Sequence, residues 1–472
     1  MYFKIDVHRL FTFMTKIKSF ISFYNLIVKN SLYIYLFGVV SVQIFYYYIY
    51  FDPYIFGDSE QYWKLASTFV DNGNFSFDNY PLSIRGYGFP FFLFLIKWFA
   101  SVLHINQLFF YRIIILFIHA LITFFVIPKI FNSIFGLKFS SQYSVFLNFG
   151  LLYLFSGLIK FPQTDLLSCY LLLTGIFFLL SKNIFINTIS VLPLVFAYYC
   201  RPIYIGPFFL FIIYYFYIFY KHNNRKKYLW LISTCIFCYF ISLPQIIINF
   251  NHYQNKSILI QDSKFFQGGL FVFQLNLGLK NDKYETTLVP KLQGISYPNM
   301  GGNMLSCIEK TNEFIYPQQF INLYFSYPFD IISIFYNHLI SGLTIQNPEV
   351  YIFKSNKSNI ILSLFNSCLL SLFLVSLIFI KKLKISSFII ITLLISPSLF
   401  CIPMTIEERF FFPLYIFIFS VVGTFSNTFI TGLRAKPILY GSIFLILNVY
   451  FLAARFNLNV NSSIDPTIYG HF

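Results

Sequence analysis

Apolar runs of about twenty residues recur along the chain, and short polar loops separate them. A run of this length can cross the hydrocarbon core of a bilayer as an α-helix. The repeating pattern therefore predicts an all-α, multi-span membrane protein with about eleven transmembrane helices. The runs predicted to cross are 31–50, 108–127, 140–158, 166–180, 184–199, 203–220, 228–250, 360–380, 385–402, 410–428 and 438–453.

One further apolar run, 88–103, is predicted not to cross. It is shorter than the others, and Pro90, Lys97 and Trp98 interrupt it. Because Lys129 and Lys138 mark the loop after run 108–127 as cytoplasmic, only one of the two preceding runs can span. We therefore expect 88–103 to form an interfacial or re-entrant helix.

The spacing of the runs divides the chain into three parts. Residues 1–250 form a transmembrane module with a first outer loop at 51–87, and a basic lead-in at 1–30 is expected on the cytoplasmic side. A polar stretch of roughly a hundred residues follows, which is too long for a plain connector and predicts an extracytoplasmic loop domain at 251–358. Residues 359–472 then return to transmembrane helices.

Composition argues against a soluble protein and against a nucleic-acid-binding protein. The chain is 57% hydrophobic and 11% charged, whereas soluble proteins carry about 25% charged residues. The net charge of +16 lies mainly in short loops between apolar runs, which indicates cytoplasmic loops and no nucleic-acid partner. Cys235 and Cys238 lie inside an apolar run and are interpreted as packing residues. The excess of Phe, Tyr, Ile, Asn and Lys is typical of an AT-rich bacterial genome, which favours a bacterial inner membrane.

The segment after the first span combines acids with an amphipathic pattern. Asp58 and Glu60 precede Tyr62, Trp63 and Phe69, and aromatic residues of this kind favour the headgroup layer. We expect an interfacial helix whose acids can act on a reactive group at the lipid–water boundary. A solvated loop with ordinary acids is the alternative.

Ionisable residues are expected to gather at the outer ends of the predicted spans. Burying such groups costs about 2.5–3.5 kcal/mol each on insertion scales, so a set at one depth predicts a cavity. Carboxylates there can act as a general base, and arginine or lysine can hold a phosphate. The set comprises Asp58, Glu60, Arg85, Lys160, Asp165, Arg201, Glu407, Glu408 and Arg409.

Most of these residues also have a structural interpretation. Arg201 before Pro202 could anchor a helix end, and Asp165 could cap the helix that follows it. Lys160 could extend to the interface, and 407–409 could form a local ion pair. His338, on an amphipathic segment, could serve only in packing.

Six short motifs, taken together, resemble the GT-C superfamily of membrane glycosyltransferases. The closest likeness is to the bacterial branch related to protein O-mannosyltransferases and the lipid A aminoarabinose transferase. GDSEQY and RGYGFPFF resemble its first outer loop, TDLL its second, CRP an Arg-Pro junction, EERFFFP its late E-x-R-Y-x-x-P junction, and NHLISGL a loop helix. These motifs occupy 57–62, 85–92, 164–167, 200–202, 407–413 and 337–343. Phe410 stands where the branch usually has tyrosine.

The resemblance implies a GT-C-like bundle that transfers a sugar from a polyprenyl-phosphate donor to a glycan, lipid or protein acceptor at the extracytoplasmic face. It implies that Asp58 is the base of an inverting reaction, with Glu60 as a second catalytic acid. The implied donor-phosphate ligands are Arg201, Arg409, Lys160 and Arg85. The implied substrate-orienting residues are Asp165, Glu407 and His338. No cofactor is expected, although Asp58, Glu60 and Asp165 could instead hold Mg²⁺ or Mn²⁺.

Two other functions remain open at this point. A polysaccharide polymerase or ligase of another membrane fold also has a large outer loop, but it should not need an acid directly after the first span. A lipid-linked glycan transporter should show paired repeats and broken helices at mid-membrane. Charges at the outer rim favour the transferase, and charges at mid-bilayer favour the transporter.

Overall fold

The computed structural model is predominantly helical, as the apolar runs predict. It describes residues 33–71, 76–136, 139–181, 183–221, 227–266, 268–287, 293–298, 316–352, 359–380, 383–435, 437–460 and 463–465. The predicted lead-in at 1–30 lies outside these residues.

The helices follow the predicted runs in chain order. They are α1 Tyr33–Ile49, α2 Gly57–Asp71, α3 Gly88–Val102, α4 Gln107–Phe135, α5 Ser141–Phe155, α6 Gly157–Lys160, α7 Thr164–Leu179, α8 Ile184–Ile189, α9 Val191–Cys200, α10 Ile205–Lys221, α11 Lys227–Tyr253, α12 Leu270–Lys280, α13 Pro317–Ser326, α14 Pro328–Leu343, α15 Ile360–Leu377, α16 Ile385–Cys401, α17 Phe412–Ala435 and α18 Pro437–Val460.

Four segments in the described residues are helical, long and apolar enough to cross a membrane. They are Gln107–Phe135, Leu231–Tyr253, Ile360–Leu377 and Glu408–Phe425. Shorter apolar helices of 10–17 residues occupy most of the other predicted runs. A helical protein with membrane-spanning segments is thus supported, and the prediction of about eleven crossings stays a prediction.

Helix α4 continues well past the end predicted for it at residue 127. Ile122–Val126 forms a π turn just before Pro128, and the helix ends at Gly136 with φ +68°. Pro128 has no N–H to donate, and a π turn changes the hydrogen-bond register locally. Lys129 is therefore part of the helix and does not lie in a loop as expected.

The two short segments predicted at the interface are both helical. Helix α2 occupies 57–71 and α3 occupies 88–102, and the two pack against each other. Lys97 is buried in this contact, where its Nζ lies 4.8 Å from the centre of the Trp63 ring and donates to the Trp63 carbonyl at 3.3 Å. The lysine thus joins the two helices, which explains why an apolar run tolerates its charge.

The segment 251–358 contains a β-sheet that the all-α prediction did not include. Its strands are β1 Asn281–Thr287, β2 Gln293–Pro298, β3 Tyr351–Ile352 and β4 Ser463–Asp465. The order is β3-β1-β2-β4; β1 is antiparallel to β2 and parallel to β3, and β2 is antiparallel to β4. The C-terminal end of the chain therefore returns to this segment.

A second apolar core lies beside the sheet. It joins Val272 and Leu279 of α12 with Phe320 of α13 and Ile331 of α14, and Met404 contributes from the turn before α17. The same turn is bonded to β1, because the Tyr284 N–H donates to the Ile406 carbonyl at 2.8 Å. These contacts attach the outer segment to the turn that carries Arg409.

Candidate active site

Asp58 lies in the first turn of α2, directly after a sharp turn in the backbone. Gly57 has φ +53°, and a Cβ there would lie 3.0 Å from the Tyr351 hydroxyl, so glycine suits both the conformation and the space. The Asp58 carboxylate accepts from Arg85 Nη2 at 2.7 Å. Glu60, two positions later, pairs with Lys64 at 2.7 Å and is half exposed. Side chains two residues apart on a helix do not share a face, so Glu60 is not brought to the arginines.

The backbone around Gly86 explains how Arg85 comes close to the end of α9. A Cβ on Gly86 would lie only 2.4 Å from the Tyr199 carbonyl oxygen, and one on Gly88 would lie 2.8 Å from the Tyr199 carbonyl carbon. The two glycines of the RGYG motif therefore permit close contact between two backbones. This contact brings the loop of Arg85 against the helix end that precedes Arg201.

Arg409 contacts three carboxylates. It lies in the short helical turn Glu408–Phe411, and its guanidinium is 2.7 Å from Glu407, 3.5 Å from Asp58 and 4.0 Å from Asp165. Arg201 forms an ion pair with Asp165, and its guanidinium lies 4.5 Å from the centre of the Phe410 ring. Phe410, the departure from the family motif, thus packs against an arginine.

Six of the nine predicted site residues therefore form one connected cluster. Three arginines alternate with three carboxylates, and each contact joins opposite charges. We call this group the arginine–carboxylate cluster; it comprises Asp58, Arg85, Asp165, Arg201, Glu407 and Arg409. Asp165, Arg201, Glu407 and Arg409 also line one or both of the two cavities described below, whereas Asp58 and Arg85 line neither.

The arginines determine the protonation of Asp58. Burial raises the pKa of the Asp58 carboxyl, but Arg85 and Arg409 outweigh burial and hold this pKa below its ordinary value. Asp58 is therefore ionised at neutral pH. In this arrangement one carboxylate oxygen faces Arg85 and the other faces Arg409.

Two cavities meet at Arg409. The smaller is lined by Asp165, Arg201, Tyr204, Phe410 and neighbouring side chains. The larger lies on the sheet side. Its polar lining comprises Tyr284, Glu285, Asn347, Glu349, Glu407, Glu408 and Arg409. Arg409 lines both cavities. The smaller cavity is lined by two arginines and one aspartate, and the larger is lined by four glutamates and Arg409.

Lys160 lies in a neighbouring polar group and not in the arginine–carboxylate cluster. Its Nζ is 3.2 Å from Asp52 and 3.9 Å from Glu349. Arg112, which is almost fully buried, donates to the Asp52 carbonyl at 2.6 Å and to the Lys160 carbonyl at 3.1 Å. These bonds tie the start of the first outer loop to the end of α6. They place Lys160 in a structural junction, apart from its predicted role as a phosphate ligand.

His338 is fully buried where α14 packs against strand β1 and the turn before α17. Its Nδ1 lies 2.5 Å from the Ile402 carbonyl oxygen and its Nε2 lies 3.1 Å from the Asn281 carbonyl oxygen. Both ring nitrogens are thus engaged by the backbone. The contacts fix α14 to the turn before α17, and they leave His338 away from the cluster.

Three uncharged residues that no sequence pattern distinguishes also support the cluster. The buried Gln163 amide nitrogen donates to Ser59 Oγ at 2.7 Å and to the Tyr351 hydroxyl at 3.0 Å. Its oxygen accepts from Arg409 Nη1 at 2.6 Å. Burial raises the pKa of Tyr351 to about 12, so its hydroxyl stays protonated. Gln163 therefore links the arginine turn to the loop that carries Asp58.

Lys283 of strand β1 forms a second connection to the arginine turn. Its fully buried ammonium lies 2.6 Å from Glu285 and 2.6 Å from Glu408. The Glu408 carboxylate also accepts from the Gln346 N–H at 2.9 Å. Glu408 thus holds three chain segments together, and Arg409 follows it directly.

An uncharged polar network lies deeper among the helices. His119 contacts the Tyr170 hydroxyl and the Asn148 carbonyl, and the Asn148 side chain contacts Gln43 and Thr123. The network joins α1, α4, α5 and α7 next to the π turn of α4. It consists of amides, hydroxyls and an imidazole, whereas the arginine–carboxylate cluster lies at helix ends.

The three carboxylates of the alternative metal site are paired with basic side chains. Asp58 pairs with Arg85, Glu60 with Lys64 and Asp165 with Arg201, and Arg409 approaches both aspartates. Within the described ranges, no group of three or more His, Cys, Asp or Glu residues could hold a metal ion.

Comparison with known proteins gives no family assignment. No family model matches the chain, and a search of curated proteins also gives no match.

Proposed function

We propose that the chain is an integral membrane glycosyltransferase of GT-C type. It transfers a sugar from a polyprenyl-phosphate donor to a glycan, lipid or protein acceptor at the extracytoplasmic face of a bacterial inner membrane. The observation that carries this proposal is the arginine–carboxylate cluster. It combines a candidate base, Asp58, with two arginines that line a cavity at the ends of apolar helices.

The donor phosphate is assigned to the smaller cavity. Arg201 and Arg409 both line it, and guanidinium groups bind phosphate oxygens through paired, charge-assisted hydrogen bonds. A phosphate that enters must compete with the carboxylates that now hold these arginines. The contact between Arg409 and Asp58, at 3.5 Å, is longer than that between Arg409 and Glu407, at 2.7 Å. The contact with Asp165, at 4.0 Å, is longer still, so we expect Arg409 to give up Asp165 and Asp58 before Glu407.

Asp58 is assigned as the general base. With Arg409 drawn to the phosphate, one oxygen of the carboxylate is freed and its basicity rises, because a neighbouring cation no longer stabilises the ionised form. That oxygen accepts the proton of an acceptor hydroxyl as the hydroxyl attacks the anomeric carbon from the face opposite the phosphate. The bond to the phosphate breaks, and the anomeric centre is inverted. Such base catalysis typically contributes about 10²–10⁴ in rate.

The acceptor is assigned to the larger cavity on the other side of Arg409. The Tyr284 ring and the Asn347 amide line this space, and such groups suit stacking and hydrogen bonding to a sugar. This arrangement places donor and acceptor on opposite sides of one arginine. It requires no cofactor.

The location of the charges favours this proposal over a transporter of lipid-linked glycans. The cluster residues lie at or between helix ends: Asp58 starts α2, Arg201 separates α9 from α10, and Arg409 precedes α17. A transporter is expected to place its key groups near the bilayer midplane. The deeper network around His119 contains no carboxylate, lysine or arginine side chain in its contacts described above.

The test is an isosteric replacement in a strain that lacks the gene. Complementation with the native chain should restore the surface glycan that the deletion removes, measured by mass spectrometry. Asp58→Asn removes the base and keeps the shape, so we expect a loss of about 10² or more in product. Asp78→Asn is the matched control, because Asp78 is an exposed acid of the same loop whose described contacts are Ser76 and Asn251. Full glycan levels with Asp58→Asn would exclude Asp58 from the chemistry.

A further inference from the structure

Helices α13 and α14 carry large apolar side chains that point away from the protein. Phe325 is 83% exposed, Phe329 84%, Ile332 63% and Tyr336 51%. The last three are spaced three and four residues apart, so they lie on one face of α14. Continuous apolar surfaces of this kind mark contact with another molecule or with a membrane.

The opposite face of α14 is also apolar. Ile331 and Ile334 are buried in the second core, against α12 and α13. A helix that is apolar on all sides normally lies inside protein or lipid, because water favours a polar outer face. Apart from His338, Asp330 is the one ionisable acid or base in 316–343, tyrosines aside. The scarcity of charge therefore favours a hydrocarbon environment for α14, whereas α13 also exposes the amides Gln318, Gln319 and Asn322.

The exposed face of α14 continues into the outer surface of α18. The Tyr336 hydroxyl contacts the Tyr450 hydroxyl of α18, whose neighbours Ile446 and Val449 are exposed. Helix α18 packs along the candidate span α15, where Ser367 donates to the Asn448 carbonyl at 3.0 Å. The apolar stripe is thus continuous with the outer surface of a pair formed by the candidate span α15 and the shorter apolar helix α18.

The inner face of α14 contacts the start of a candidate membrane span. Gly342 lies so close to Phe411 that a Cβ would be 2.2 Å from the phenyl ring. Phe411 belongs to the turn at which the candidate span Glu408–Phe425 begins. The C-terminal end of α14 therefore lies beside the turn at which this candidate span begins.

We propose that α13 and α14 are inserted into the adjacent membrane leaflet, with Phe325, Phe329 and Ile332 in contact with lipid acyl chains. The partner is the bilayer itself, and the proposal does not depend on the enzymatic activity. It assigns to the membrane a part of the segment that the sequence places in an outer domain. Because α14 packs on the arginine turn, this insertion also holds that turn at the membrane surface.

Photo-crosslinking to lipid tests the proposal. The full chain is reconstituted in nanodiscs of phosphatidylethanolamine and phosphatidylglycerol, with p-benzoylphenylalanine in place of Phe329, and lipid adducts are measured by mass spectrometry. p-Benzoylphenylalanine in place of Val449 is the positive control for contact with lipid. p-Benzoylphenylalanine in place of Asn79, an exposed residue beside Asp78, is the aqueous control. We expect an adduct yield at 329 similar to that at 449 and at least about tenfold above that at 79, which corresponds to about 1.4 kcal/mol.

Two outcomes would overturn the proposal. One is a lipid adduct at 329 no more abundant than at 79. The other is a crosslink from 329 to a second copy of the chain in place of lipid, which would make the stripe a protein interface. If the reporter at 329 prevents folding, Ile332 on the same face carries it instead, and the same two outcomes decide.

Discussion

Substitution of Gly86 by alanine tests whether close backbone contact sets the geometry of the cluster. The added Cβ would lie 2.4 Å from the Tyr199 carbonyl oxygen and 2.6 Å from Ile260 Cδ1. The Ile260 side chain can rotate away, but the carbonyl belongs to the last turn of α9 and cannot. An ordinary carbon–oxygen contact is about 3.3–3.6 Å, so the two backbones must separate by about 1 Å.

This displacement is expected to lower both the stability of the protein and the rate of the reaction. Overpacking a tightly packed contact typically costs about 1–3 kcal/mol of stability. A shift of 1 Å also lengthens the 2.7 Å contact between Arg85 and Asp58 beyond hydrogen-bonding distance. Misplacement of about 1 Å at a reacting group can cost about 10² in rate. We therefore expect Gly86→Ala to lose more activity than its loss of stability explains.

The assay combines thermal unfolding in nanodiscs with the glycan readout in the complemented strain. Gly441→Ala is the control, because a Cβ there meets nothing within 4 Å and alanine favours a helix by about 1 kcal/mol over glycine. The control should be at least as stable as the native chain and fully active. A Gly86→Ala chain with native stability and native activity would refute the close contact as the reason for glycine.

Three further predictions follow from buried polar groups. Arg112→Met should lower stability by about 1–3 kcal/mol for each of the two carbonyls that lose a donor, measured by thermal unfolding, and an unchanged midpoint would contradict this. Burial raises the pKa of Asp282 from 3.8 to about 7; this group therefore adds stability below pH 4 that is lost as the pH rises through 7. Asp282→Asn should raise the unfolding midpoint at pH 8 more than at pH 5, and equal shifts would exclude the effect. Gln163→Leu should weaken binding of a polyprenyl phosphate about tenfold or more, because Arg409 loses a hydrogen bond worth about 1.5–3 kcal/mol; unchanged binding by native mass spectrometry would remove Gln163 from this role.

The sequence predicted the members of the cluster because charged residues are rare in this chain. Each acid or arginine at a span end is costly unless it is paired, and alternation of the predicted spans assigned Asp58, Asp165, Arg201 and Arg409 to one side. The structure brings these four residues into contact. The same argument selects charged residues without regard to the direction in which their side chains point. It included Glu60, which the helical period turns toward Lys64. His338 was selected by the resemblance instead, and its ring nitrogens are engaged by backbone carbonyls.

The uncharged residues that support the cluster, and the β-sheet, could not be predicted from the pattern of charges. Gln163 and Tyr351 have no distinguishing pattern in the sequence, because their importance arises from partners more than a hundred residues away. Strand β3 has two residues, and β4 comes from the far end of the chain. Such short, non-local strands leave no alternation that a local window can detect.

The balance of charge in the cluster bears on the order of events in the proposed reaction. Three arginines facing three carboxylates leave no net positive charge for a phosphate, so the donor can bind only by replacing a carboxylate on at least one arginine. Arg409 holds Asp58 at 3.5 Å, less closely than Glu407 at 2.7 Å, and Arg85 holds the other Asp58 oxygen independently. Donor binding therefore raises the basicity of Asp58 while leaving it in place. An acceptor that arrives first meets a carboxylate whose pKa the arginines keep low, and its hydroxyl is not activated. The mechanism thus requires the donor to bind before the acceptor, and a steady-state analysis in which the acceptor binds first productively would be incompatible with it.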